Sequence, residues 1–185
     1  MRKLSVFNSI TLDGYFTGAN GNMDWAHKND PEWQAFTAEN SKDPAEFVFG
    51  RVTYQMMAGW WPSPAAKKMA PEVADAMNKT PKVVFSNSLH EATWSNTRLI
   101  TGDIVAETRK LKAESGRDLL IMGSGTIVSQ LTEAGLIDAY QLVVHPLVIG
   151  TGRSLFEGVT RNVPLKRTAS RSFENGCIVL WYERD

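Results

Sequence analysis

A single cysteine, Cys177, in a chain of 185 residues leaves nothing for an internal disulfide to close. That usage fits a reducing compartment and predicts a cytoplasmic protein. Histidine is nearly as scarce: His27, His90 and His145 stand at no metal-ligand spacing, so no metal site is expected, and each reads as a surface or strand-end residue. Neither sign of charge dominates. Twenty basic and twenty acidic residues cancel, so no long-range field draws the chain to nucleic acid or an anionic membrane. Long apolar runs are missing too; none reaches the ~18 residues of a membrane span, and the run after Met1-Arg2-Lys3 breaks at Asn8 and Ser9, too early for a signal-peptide core. The length predicts one domain over residues 1–185, large enough to bury roughly 70% of its unfolded surface.

What the chain does have is strands that end in small polar turns. Leu119-Leu120-Ile121-Met122 runs into Gly123-Ser124-Gly125-Thr126, and the turn opens a helix whose Ile127, Val128, Leu131 and Ala134 form one apolar stripe ended by Gly135. Glycines admit a close ligand, and free amides at a helix start attract an anion. The dinucleotide fingerprint nevertheless fails. Val128 stands where a third small residue is needed, Val143, Val144 and His145 stand where a ribose-binding acid is expected, and no Gly-Lys-Ser/Thr marks a P-loop.

The same junction recurs. Phe47-Val48-Phe49 meets Gly50-Arg51-Val52-Thr53, and Val83-Val84-Phe85 meets Ser86-Asn87-Ser88. Further strands are predicted over residues 3–10, 98–100 and 139–144. Helices are predicted from Pro31 after an Asp30 cap, after Gly50, over residues 71–78, and over residues 104–114 after Asp103. Residues 17–24 read as a long Gly- and Asn-rich loop between Phe16 and Trp25, and residues 60–64 as a loop that proline keeps from being helical. Asn175-Gly176 between two strand-like runs signals a terminal hairpin. Alternating strands and helices therefore predict a three-layer α/β fold, a mostly parallel mixed sheet with an antiparallel C-terminal hairpin.

In an open parallel sheet the carboxyl ends of the strands share one edge, so the three turns can converge on one extended ligand. A dinucleotide has that length. Arg51 at a positive helix end is poorly placed unless an anion binds there, and Ser86 and Ser88 could hold a further phosphate, which favours NADPH over NADH.

The ordered set Leu12-Asp13-Gly14-Tyr15, Phe49-Gly50-Arg51-x-Thr53-Tyr54, Ser86-x-Ser88-Leu89, Gly123-Ser124-Gly125, Leu136-Ile137-Asp138, Pro146-x-x-x-Gly150-x-Gly152 and Leu155-Phe156 resembles the dihydrofolate-reductase-like superfamily. The chain is most similar there to the C-terminal reductase domain of the bifunctional riboflavin-biosynthesis deaminase-reductase. The resemblance implies NADPH along the carboxyl edge. Gly50, Arg51, Thr53 and residues Gly123, Ser124, Gly125, Thr126 and Ile127 would hold its phosphates, and Ser86, Asn87 and Ser88 its 2′-phosphate. It further implies a cis peptide between Gly123 and Ser124, and a nicotinamide beneath residues 13–25. Hydride transfer to a small heterocycle, pterin-like or ribosylaminopyrimidine-like, follows, with a cofactor-binding regulatory module as the alternative.

The sequence departs from the riboflavin-type pattern after the second strand. Tyr54-Gln55-Met56-Met57 replaces an Asp-Asp-Pro-x-Leu segment that helps bind the sugar phosphate, and Val128 replaces the tyrosine of folate reductases. Asp13 and Asp30 are the candidate catalytic acids, expected to have raised pKa values or to orient a water. Phe16, Trp25 and Trp60, with Trp61, are candidates to stack on the heterocycle. The apolar terminal strands predict a homodimer that covers the sheet edge.

Overall fold

The computed structural model describes residues 1–28, 30–42 and 45–185. In chain order the elements are β1 (Leu4–Thr11), β2 (Tyr15–Thr17), a 3-10 turn (Asp24–Ala26), α1 (Pro31–Asn40), β3 (Glu46–Gly50), α2 (Arg51–Trp60), α3 (Pro64–Met69), α4 (Pro71–Lys79), β4 (Lys82–Phe85) and β5 (Thr97–Ile100). There follow α5 (Ile104–Ala113), β6 (Leu119–Met122), α6 (Gly125–Glu133), β7 (Ala139–His145), β8 (Arg153–Ser154), β9 (Leu165–Ser172) and β10 (Ile178–Arg184).

Eight strands form one sheet in the order β5-β4-β3-β6-β1-β7-β10-β9. The first six in that order run parallel, β10 runs against β7, and β9 runs against β10. The parallel part is buried on both sides, as continuous apolar strands require. Leu4, Val6, Val48, Leu119 and Ile121 point to one face and pack on Leu111 of α5 and on Ile127, Val128 and Leu131 of α6. Phe47, Phe49 and Val84 point to the other and meet Tyr54, Met77 and Trp94, while Val143 and Val179 meet Trp33 and Phe36 of α1. The layers are thus α5 and α6, the sheet, and α1 to α4.

Several expectations shift. Residues 60–64 are not all loop: Ser63 accepts the Ala66 amide at 3.1 Å and Pro64 fills the first position of α3, a helix start rather than a break. Residues 15–17, which run into the loop predicted over residues 17–24, pair as β2 with β8 in a separate two-stranded ribbon. No peptide among the described residues is cis, the Gly123–Ser124 bond included. The chain turns there through two successive left-handed residues, Gly123 at φ 68° and Ser124 at φ 64°, a conformation open to glycine and unusual for serine.

His145 ends β7 and is 1% exposed, beside the wholly buried Cys177. Burial, with a smaller push from Lys28, lowers its pKa from 6.5 to about 4. The unfolded chain binds a proton at 6.5 that the folded chain refuses until about 4, so stability falls as pH falls through that window, by up to about 1.4 kcal/mol per unit. Urea unfolding of wild type and His145→Gln between about pH 7 and pH 4 should show wild type losing about 3 kcal/mol relative to the variant. A constant gap would exclude the buried imidazole as the source.

Candidate functional site

Helix starts differ in what they do with their orphan amides. Asp30 accepts the Trp33 amide at 2.9 Å and Asp103 the Ala106 amide at 2.8 Å, so α1 and α5 are capped by their own side chains. The starts of α2 and α6 have no such cap. They meet each other instead. Ser124 turns its hydroxyl away from its own helix: Oγ accepts the Gly50 amide at 2.7 Å and donates to Thr53 Oγ1 at 3.0 Å. Glycine is needed for this fit, because a Cβ on Gly123 would lie 2.9 Å from Thr53 Cγ2 and one on Gly50 would lie 3.0 Å from Ser124 Oγ.

Because Ser124 Oγ is spent on the neighbouring junction, the Gly125 and Thr126 amides carry no protein acceptor among the described residues. Both point out of a helix start, where the dipole favours negative charge. Two cations stand at these starts with no acid in either first turn. Arg51 is exposed and donates to Gln55 Oε1 at 3.0 Å. Arg153, on β8, donates to Thr126 Oγ1 at 2.7 Å and lies 5.3 Å above the Phe16 ring. A guanidinium at the positive end of a helix is unfavourable alone and favourable with an anion between them. The donor set therefore fits a diphosphate: Gly125, Thr126, Arg51 and Arg153 would hold it. Arg153 was missed in the sequence, although the Gly150-x-Gly152 turn before it carries the same glycine-then-cation signal as Gly50-Arg51.

The remaining candidates separate. The Ser86 turn is closed locally: Ser86 Oγ accepts the Ser88 and Leu89 amides at 3.2 and 2.9 Å, and Asn87 Oδ1 accepts the Gly102 amide at 2.6 Å. It ends β4, two strands from β6. Phe16 is buried and sits over Gly125, where a Cβ would come within 2.2 Å of its Cε1. Trp60 lies at the far end of α2, about 14 Å along the helix from Arg51. It is not brought to this edge. Trp25 rests on His145, with ring centres 5.0 Å apart in an edge contact.

The two carboxylates run opposite to the expected direction. Asp13 has its pKa lowered, chiefly by the Thr11 hydroxyl, which donates to it at 2.6 Å, helped by the Gly150 amide at 2.8 Å and the Ile149 amide at 3.2 Å. Asp30 is lowered too, by the Asn175 amide group at 2.8 Å and the Trp33 amide. An acid gains a proton by being denied partners; both of these have several, and they tie the loop after β1 and the start of α1 in place. Two surface hollows, about 330 Å³ beside Asn78 and Trp94 and about 350 Å³ beside Ser129 and Glu133, lie at the amino end of β4 and the later turns of α6.

Known proteins resemble the chain over its whole length. An uncharacterized protein of Bacillus subtilis (strain 168), YyaP, is 28% identical over 181 residues, which cover 98% of this chain and 94% of that protein. The crystal structure of a diaminohydroxyphosphoribosylaminopyrimidine deaminase/5-amino-6-(5-phosphoribosylamino)uracil reductase from Thermotoga maritima matches 100% of this chain and 57% of that one, at 15% identity and a TM-score of 0.71. Dihydrofolate reductase from Enterococcus faecalis, complexed with NADP(H) and RAB-propyl, matches 99% of this chain and 96% of that one, at 16% identity and a TM-score of 0.67. Among the described residues no helix is long and apolar enough to cross a membrane. The RibD C-terminal domain family matches residues 2–179, and to that family, with its dihydrofolate-reductase-like three-layer fold, the chain belongs.

Proposed function

We propose that the protein is an NADPH-dependent reductase that delivers hydride to a small heterocycle of the pterin or ribosylaminopyrimidine kind. The observation that carries this reading is the pair of interlocked, uncapped helix starts at Gly50 and Gly125, with Arg51 and Arg153 standing over them. Family membership and the likeness to a uracil reductase and an NADP(H)-complexed folate reductase support it. When bound, the dinucleotide would supply the hydride; the chain supplies position and charge. Gly125, Thr126, Arg51 and Arg153 hold the diphosphate, Gly50, Thr53, Gly123 and Ser124 shape the turn, and Ser86 to Ser88 meet the 2′-phosphate. Ile127 closes the floor behind them, buried against the sheet.

Asp13 and Asp30 stay ionised near neutral pH, so each would orient a water for the proton that accompanies hydride rather than donate its own. That point favours one competing reading. A cleft with no protonated acid is also what a cofactor-binding module without catalysis would have, and substrate turnover separates the two.

Tryptophan-fluorescence titration should show NADPH binding more tightly than NADH, and Arg51→Ala and Arg153→Ala should each weaken NADPH by about 10-fold or more, the effect of losing one charged hydrogen bond. Failure of both nucleotides to bind would remove the reductase and the module alike. With NADPH bound, a panel of pterin, folate and ribosylaminopyrimidine substrates followed by NADPH absorbance should show turnover with at least one. Asp30→Asn keeps the acceptor for the Trp33 amide and loses the one for Asn175, so about a 10-fold fall in kcat with a small fall in Tm is expected; unchanged kcat would release Asp30 from any part in the chemistry.

A further inference from the structure

His145 does not behave as a packing residue. It ends β7 level with Thr11, the last residue of β1, on the sheet face that α1 covers. Its Nδ1 lies 3.4 Å from Cys177 Sγ, whereas its Nε2 is shut off from solvent and has no hydrogen-bond partner among the described residues. Trp25 repeats the pattern. Its ring stands edge-on to the imidazole at 76°, and its own Nε1 is likewise shut off and unpartnered. Trp33 closes another side, with ring centres 6.4 Å apart.

Buried polar groups are nearly always paired, and each unpaired one carries its full desolvation cost. Two such nitrogens under one turn of chain mark a place where a partner is expected from outside. An apolar side chain would fill the same space with no such cost.

The direction of donation follows from the neighbours. Burial pushes the Cys177 thiol up, so it keeps its proton and can give it to Nδ1; Nε2 then carries the ring hydrogen. Indole nitrogen only donates. Both orphans are therefore donors. The charged groups that face them are Lys28, which depresses the imidazole, and Lys28 and Asp30, which act in opposite senses on the thiol. The imidazole is neutral at pH 7, so the pair suits an uncharged acceptor better than a carboxylate or phosphate. The aromatic walls suit a flat ring.

Position connects this pocket to the phosphate seat. β6, β1 and β7 are consecutive in the sheet, so His145 lies about 10 Å across from β6. A ligand held at Gly125 and reaching along β1 toward Thr11 ends beside it.

We propose that His145 Nε2 and Trp25 Nε1 are the polar contacts of the heterocycle site, and that they take a planar ring bearing a carbonyl oxygen, received when the Asp24–Ala26 turn lifts from the imidazole. The hydrogen bonds that close that turn are local, Asn22 Oδ1 accepting the Asp24 amide at 2.7 Å and Met23 and Asp24 carbonyls accepting the Ala26 and His27 amides, so it can move as a unit without breaking them. The inference rests on the reductase reading for the chemistry and stands apart from it for binding.

The test uses the full ¹⁵N-labelled chain with uracil and pterin, which carry ring carbonyls, and 2,4-diaminopyrimidine, which carries none. The carbonyl probes should move both the Trp25 indole N–H signal and the His145 Nε2 signal; the diamine should move neither. His145→Gln, which keeps a donor near the Nε2 position, should bind pterin within about threefold of wild type. His145→Asn, which reaches only the Nδ1 position, should bind it about five- to tenfold more weakly, while NADPH affinity stays the same in both. Where His145→Asn fails to fold, Trp25→Phe carries the comparison, since it keeps the ring and loses only the donor. If NADPH binds and the carbonyl probes move neither signal, this inference falls and the reductase reading survives. If they move both signals and NADPH does not bind, the reverse holds.

Discussion

One serine hydroxyl joins the two uncapped helix starts. Ser124 Oγ takes the Gly50 amide and gives its hydrogen to Thr53, so the junction after β3 and the junction after β6 are a single hydrogen-bonded unit. The left-handed backbone at Gly123 and Ser124 aims the hydroxyl sideways, and the glycines on both sides leave room for it. What the serine gives to the neighbouring turn it withholds from its own helix. The open amides of α6 are therefore a by-product of the same bond that fixes their position. Binding capacity and rigidity come from one contact, which is an economical way to preorganise an anion site.

Around this unit the sheet works as a ruler. Every parallel strand delivers its carboxyl end to the same edge, and from there α1 to α4 leave to one face and α5 and α6 to the other. The edge thus places the donors proposed for phosphate at β3 and β6 and the aromatic pocket at β7, with β1 between β6 and β7. Asp13 and Asp30 belong to the scaffold of this arrangement as much as to its chemistry. Asp13 binds the strand end to residues 149 and 150, and Asp30 binds the start of α1 to the terminal hairpin at Asn175. Their low pKa values are the electrostatic trace of those ties.

Legibility in the sequence followed the range of the interactions. The glycine junctions, the Asp30 and Asp103 caps and the Asn175-Gly176 turn depend on residues within a few positions of one another, and each could be read directly. The α3 helix was hidden because prolines at 62 and 64 suggest a break, whereas Ser63 and Pro64 together make a start. β2 and β8 are too short to show a period, and their pairing spans well over a hundred residues. A similar distance separates Asp13 from the amides that reverse its expected pKa, and Arg153 meets Thr126 of α6 across 27 residues. His145 looked like a strand end, which it is; its burial follows from Trp25, Trp33 and Cys177, none of them near it in the chain.

The central place of β1 also bears on how the molecule is made. Its two partners, β6 and β7, begin at Leu119 and Ala139, so β1 leaves the ribosome more than a hundred residues ahead of either neighbour. At about 5 to 20 residues per second, it waits roughly 5 to 20 s before either side can pair. Through that interval an eight-residue strand rich in apolar side chains has two bare edges. The Asn8 and Ser9 that interrupt it lie in the stretch where a nascent chain most needs to stay soluble, and in the folded sheet Asn8 is buried with its Oδ1 unpaired among the described residues.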